Sequence, residues 1–294
     1  MDLGVGAAIV AAALPPRRAA DADGAAAPSP LRRHAPLLAL GFGRLLAVRA
    51  ASYHEAVGEY GVHWNAFLTL GVAGGVAASL APKSAAACAA SGAALLAAHQ
   101  SALSLGLGEW ALHAPREGLV SANKEGLASL PGYVALWWLA RAAGAIVLRR
   151  PRRSVDAWWG ALYEAVGIAS IAYVASVVAD TQVQPGSRVL CNAAYVLWCL
   201  GQLLLALAMQ LLVSLLDDGG TAPTPPLLAA INRQPLAVWL AANVMTGAVN
   251  IAMGDATAEV GAAVSLPVLV CYVAAVAAVA MAVEGEERPR LKQA

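Results

Sequence analysis

The chain has 294 residues, of which 60% are hydrophobic and only 13% charged, and its mean hydropathy is +0.64. A soluble domain carries about 25% charged residues, so this composition excludes a soluble globular protein, and its apolar content excludes a disordered one. Nineteen Lys and Arg against eighteen Asp and Glu leave a net charge of +1, which removes the electrostatic basis for binding nucleic acid.

What remains is an all-α polytopic membrane protein, a transmembrane helical bundle. Apolar stretches fall at 3–14, 35–50, 62–81, 85–106, 127–148, 158–178, 189–215, 234–253 and 260–282, which predicts eight or nine spans. A spanning helix needs about 20 apolar residues. The first stretch is shorter, and Asp2 stands where a signal peptide would carry positive charge, so it reads as a helix entered partway along. Several stretches are rich in Ala and Gly, which suits close helix packing in lipid. Cys88, Cys191, Cys199 and Cys271 lie inside apolar runs at spacings that match no metal site; they read as buried thiols, and no metal is expected.

Loop charge sets the orientation, because cytosolic loops collect Lys and Arg. Alternate loops at 15–34, 81–84, 149–157 and 216–234, together with the charged tail 284–294, hold thirteen of the nineteen positive residues. The opposite set holds four: Arg49, Arg116, Lys124 and Arg188. The first set is therefore predicted to be cytosolic, with the C-terminus inside. Met1 then falls on the other side, which a short first helix alone would not achieve, so further helices before it are expected.

The loops poor in positive charge are rich in functional groups. The first reads Ser52-Tyr53-His54-Glu55-Ala56-Val57-Gly58-Glu59-Tyr60-Gly61-Val62-His63-Trp64-Asn65. Glu55 and Glu59 are four apart, on one face if helical, and His63 extends the row. A His with carboxylates suits general acid–base work; an interfacial loop with ordinary hydrogen bonds explains the same residues. The second loop runs from Ser121 through Asn123, Lys124, Glu125 and Gly126 to Tyr133. Asn123 reads as an N-cap, with Lys124 and Glu125 as a solvated helix start. Inside the span at 234–253, Asn243, Thr246, Gly247 and Asn250 share one helical face. Polar groups there must meet neighbouring helices or a polar cavity.

Taken in order, Met1-Asp2-Leu3-Gly4-Val5-Gly6, Gly41-Phe42-Gly43-Arg44, Glu59-Tyr60-Gly61-Val62-His63-Trp64-Asn65, Asn123-Lys124-Glu125-Gly126 and Asn243 through Thr246-Gly247 to Asn250 resemble the PIG-W family. This family is also called the GPI-anchored wall transfer proteins, the glucosaminyl-phosphatidylinositol inositol acyltransferases. The resemblance implies a multi-pass endoplasmic-reticulum enzyme that moves an acyl chain from acyl-CoA, its co-substrate, to the inositol of glucosaminyl-phosphatidylinositol, with no bound cofactor. For that reaction His63 is the residue best suited to proton chemistry at neutral pH, with Glu59 to orient it, and these two are the catalytic candidates. Glu55, Tyr60, Trp64, Asn65, Asn123, Lys124, Asn243, Thr246 and Asn250 follow as candidates for holding substrate.

The resemblance also implies a single transmembrane domain over 1–283 followed by a cytosolic tail. Family members carry helices and a short segment with an Asp and a Lys before the Met-Asp-Leu-Gly-Val-Gly motif. The polypeptide from Met1 onward lacks that pair and is expected to be inactive by itself. A non-catalytic paralogue that binds GPI intermediates and a membrane transporter are the competing readings. Transporter folds are often built from inverted repeats, and none is visible in the sequence.

Overall fold

The computed structural model describes residues 3–14, 29–50, 57–148, 154–216, 224–253 and 261–291. Every regular element among them is helical, and each of the nine predicted stretches falls on a helix. The chain divides into two compact units, Met1–Gly219 and Gly220–Ala294.

The first unit runs through α1 (Gly4–Ala13), α2 (Pro30–Ala50), α3 (Val57–Tyr60), α4 (Ala66–Ser79) and α5 (Ala85–Ala102). A π turn (Leu103–Leu107) and the short α6 (Gly108–His113) and α7 (Leu119–Ala122) follow. The long helices α8 (Lys124–Val147), α9 (Val155–Gln182) and α10 (Ala193–Leu216) complete the unit. The second unit consists of α11 (Pro226–Arg233), α12 (Pro235–Met253) and α13 (Ala262–Leu291). By length and composition, α8, α9, α10 and the Val264–Ala282 part of α13 can cross a membrane; α1 and α4 are shorter apolar helices. Helix α5 falls outside that set because Ser91, His99, Gln100 and Ser101 dilute its apolar face.

Two predicted stretches begin or end inside the expected bounds for local reasons. Helix α4 starts at Ala66 rather than Val62, because the Asn65 side chain caps it and accepts from the N–H groups of Phe67 (3.1 Å) and Leu68 (3.2 Å). Beyond Ala102, α5 passes into the π turn, where Gly106 takes φ +119°. Three cysteines are buried as expected, but Cys271 is exposed on the second unit.

Helix α8 is the axis of the first unit. Its residues Tyr133, Leu136, Trp137 and Ala140 join Val5 and Ile9 of α1, Ala73 and Ala77 of α4, and Tyr195 and Cys199 of α10 in one buried cluster. Tyr133 meets Tyr195 edge to face at 6.4 Å, and the Trp138 Nε1–H donates to the Ala77 carbonyl at 3.0 Å. Small residues let these backbones approach, as the apolar stretches predicted. The tightest place is Gly132, where an added Cβ would lie 2.0 Å from the Cys191 carbonyl oxygen. Cys191 itself holds φ +46°, so the turn before α10 is already committed there.

Gly132→Ala is therefore expected to lower the thermal midpoint of the purified chain in detergent, at about 1–3 kcal/mol for an overpacked core. Gly160→Ala in α9 meets nothing within 4 Å and should leave the midpoint unchanged or raise it, by a helix-propensity gain of about 1 kcal/mol. Equal midpoints for the two variants would contradict the packing described.

Candidate functional site

The two polar loops fold onto each other at one end of the first unit. Helix α3 stops at Tyr60, and Gly61 turns the chain with φ +120°. A Cβ there would fall 2.6 Å from the Asn123 Cα and 2.8 Å from the Ala122 carbonyl oxygen, so only glycine permits both the turn and the approach. The next two residues are tied across: the Val62 N–H donates to the Ala122 carbonyl at 2.9 Å, and the His63 N–H to Asn123 Oδ1 at 2.7 Å. Trp64 then lies against Gly126, where an added Cβ would stand 2.3 Å from the indole. Its Nε1–H donates to Thr69 Oγ1 at 2.9 Å. Asn65, besides capping α4, donates through Nδ2 to the Gly41 carbonyl at 2.9 Å, which joins a third segment of the family pattern to the same place.

Several expectations change on this geometry. Glu59 and His63 do not share a helical row, because the helix ends at Tyr60 and Gly61 turns the chain before His63; Glu55 lies outside the described residues. Asn123 stands at the N-cap position of α8 but makes no capping bond. Its Oδ1 is taken by His63, and its Nδ2 donates to the Leu119 carbonyl at 2.8 Å. Lys124 and Glu125 are not a solvated helix start; each residue is 2% exposed, since the 57–65 and 114–122 segments cover them.

Two carboxylates at this end, Glu125 and Glu59, are held by arginines. Glu125 receives a two-pronged contact from Arg116, with Nη1 to Oε2 at 3.0 Å and Nη2 on Oε1; Arg116 also donates to the Ala122 carbonyl at 2.8 Å. Glu59 pairs with Arg188 at 3.2 Å. The same guanidinium donates to the Tyr60 hydroxyl at 2.8 Å and sits 5.2 Å from that ring's centre. Burial of Arg188 works against its charge, but the Tyr60 hydroxyl and the Glu59 carboxylate outweigh it and hold its pKa above the ordinary value. Lys124 is buried without such a pair. Among the described residues its amine has one partner, the Ala114 carbonyl at 2.5 Å, and no carboxylate.

The His63 ring meets Arg49 from the end of α2, with Nη2 to Nδ1 at 2.9 Å. Glu59 and His63 thus go to different arginines. No group of three or more His, Cys, Asp or Glu suited to a metal occurs among the described residues. The Cys191 thiol, in the turn before α10, is pushed well up by burial and is no nucleophile.

Reading the sequence missed Arg49, Arg116 and Arg188 as members of this end. One signal was available. With Lys124 they are the four positive residues of the loops that otherwise avoid positive charge, and all four converge here. The third set of candidates lies in the second unit. The Thr246 hydroxyl donates to the Ala242 carbonyl at 2.9 Å and lies 3.1 Å from the Tyr272 hydroxyl of α13, so it serves an interhelical contact. The Asn243 side chain donates to the Trp239 carbonyl at 2.8 Å, and Asn243 and Asn250 are exposed on this unit.

Burial separates the two ion pairs energetically. The Glu125 side chain is 3% exposed and that of Glu59 52%. Arg116→Ala strands the Glu125 carboxylate in a closed site and is expected to destabilise the chain by about 3 kcal/mol. Glu59→Ala should be worth about 1 kcal/mol or less, since water screens the pair. Denaturation of both variants in the same detergent checks this, and equal losses would contradict it.

Comparison with known proteins places this geometry in a family. The GWT1 family model matches residues 1–283. The chain is 32% identical over 226 residues to the phosphatidylinositol-glycan biosynthesis class W protein of Dictyostelium discoideum, an alignment covering 76% of this chain and 45% of the relative. It is 33% identical to a GPI-anchored wall transfer protein 1 of Cryptococcus neoformans, over 87% of this chain and 47% of that one. It is 31% identical to the protein of the same name in Yarrowia lipolytica, over 98% and 64%. The chain thus spans about half to two thirds of the length of these relatives. It belongs to the GWT1 family.

Proposed function

We propose that this chain acts in GPI-anchor biosynthesis as an inositol acyltransferase, using acyl-CoA and glucosaminyl-phosphatidylinositol. In that reaction the inositol oxygen bonds to the acyl carbon and the carbon–sulfur bond breaks. The hydroxyl proton passes to a base, and coenzyme A leaves with the electron pair on sulfur. The reading sets His63 and Glu59 nearest the reacting atoms. Tyr60, Trp64, Asn65, Asn123 and Lys124 shape the surface that receives the headgroup; Asn243, Thr246 and Asn250 are substrate-holding candidates on the second unit. The reading includes a site in the endoplasmic-reticulum membrane on the lumenal side, with the C-terminus in the cytosol, as the loop charges suggest.

The observation that carries this reading is Lys124. A charge in a closed site is expensive unless paired, and the Glu125 and Glu59 carboxylates already belong to arginines. Among the described residues the amine is left with one carbonyl. A phosphodiester supplies the missing negative charge and further acceptor oxygens, and every phosphoinositide substrate carries one. The names of the relatives supply the pathway in which such a lipid occurs.

Lys124→Met should weaken binding of glucosaminyl-phosphatidylinositol to the purified chain in nanodiscs by about tenfold, the worth of a hydrogen bond to a charged group. Cells whose chromosomal copy carries the same substitution should lose inositol acylation in proportion. Unchanged binding with unchanged acylation would overturn the reading.

A further inference from the structure

An arginine side chain has only donors to offer. With Arg49 Nη2 at 2.9 Å from His63 Nδ1, that ring nitrogen must be the acceptor. In the neutral ring the hydrogen then belongs to Nε2. The geometry fixes two further points. Arg49 is the last cation of α2, at the helix end where a positive charge is favoured, and among the described residues it has no carboxylate. His63 is half-buried, its backbone is pinned to Asn123, and among the described residues Nε2 has no protein partner. The ring is therefore held in place, and among the described residues one N–H is unused.

We propose that Arg49 is a positioning residue that fixes His63 as a hydrogen-bond donor through Nε2. This assignment rests on the acyltransferase reading. The Nε2–H donates to the carbonyl oxygen of the acyl donor as that oxygen takes negative charge, and the neighbouring guanidinium strengthens the donation. The nitrogen that would take the inositol proton is already occupied by Arg49. His63 thus holds the developing oxyanion, and the base that takes the hydroxyl proton is a different group.

Two substitutions at the exposed Arg49 separate this role from a merely structural one. Arg49→Lys keeps a donor-only partner on Nδ1. Arg49→Glu puts an acceptor there, so the ring hydrogen moves to Nδ1 and Nε2 becomes an acceptor. The readout is the imidazole nitrogen spectrum of the full chain labelled with ¹⁵N-histidine, recorded above neutral pH and assigned by the signal lost in His63→Gln. The wild-type chain and Arg49→Lys should both show Nδ1 without hydrogen and Nε2 with it, and Arg49→Glu should show the reverse.

In cells carrying the substitutions on the chromosome, Arg49→Lys should retain inositol acylation. Arg49→Glu should lose about a hundredfold, as for an oxyanion donor removed. A wild-type spectrum with the hydrogen on Nδ1, or full acylation by Arg49→Glu with its tautomer reversed, would overturn the assignment. Absence of inositol acylation dependent on the unmodified protein would instead overturn the transferase reading, and the spectrum would still decide the tautomer.

Discussion

Helix α8 enters the bundle with Lys124 and Glu125 in its first turn, both buried, and the polar end of the first unit is organised around that constraint. Charged groups out of water need partners. Arg116 comes back over the helix start to satisfy Glu125 and ties down the 114–122 segment through Ala122. That segment offers the Ala122 carbonyl, and Asn123 next to it the side-chain oxygen, on which the 61–63 turn is laid. The turn in turn places Trp64 on Gly126 and Asn65 at the start of α4. Glu125 fixes the scaffold, while Lys124, with its single carbonyl, is what the scaffold encloses.

The helices were legible because each depends on its own segment: an apolar run long enough to bury a helix announces itself by composition. The shared side of the polar loops was legible as well, since loop charge responds to the membrane and not to tertiary contacts. The contacts that build the site were hidden. His63 meets Asn123 across 60 residues of chain, and Arg188 reaches Tyr60 across 128; no periodicity links such positions. Local rules also misled where tertiary structure overrode them. Charges in a first helical turn normally lie in water, so Lys124 and Glu125 read as solvated. An i, i+4 row needs an unbroken helix, which Gly61 denies.

Sparse charge is informative in a protein of this composition. Lys and Arg gather in one set of loops, and the four that stand outside it converge on one end of the first unit. Three of them hold polar loop groups in place: Arg116 holds Glu125, Arg188 holds Glu59 and Tyr60, and Arg49 holds His63. The fourth is Lys124. This division between arginines that position and a lysine that is left to bind matches their chemistry. The planar guanidinium suits fixed two-point contacts, and the ammonium acts as a point charge for a phosphate.

In the proposed function, residues 57–65 and 118–126 together form the surface that receives a phosphoinositol headgroup. A glucosaminyl-phosphatidylinositol analogue with a photoreactive group on its headgroup tests it directly, by mass spectrometry of the labelled, purified chain. Adducts are expected on peptides from both segments, with both suppressed by the unlabelled lipid. Labelling that leaves both segments untouched, or that the unlabelled lipid does not suppress, would contradict it.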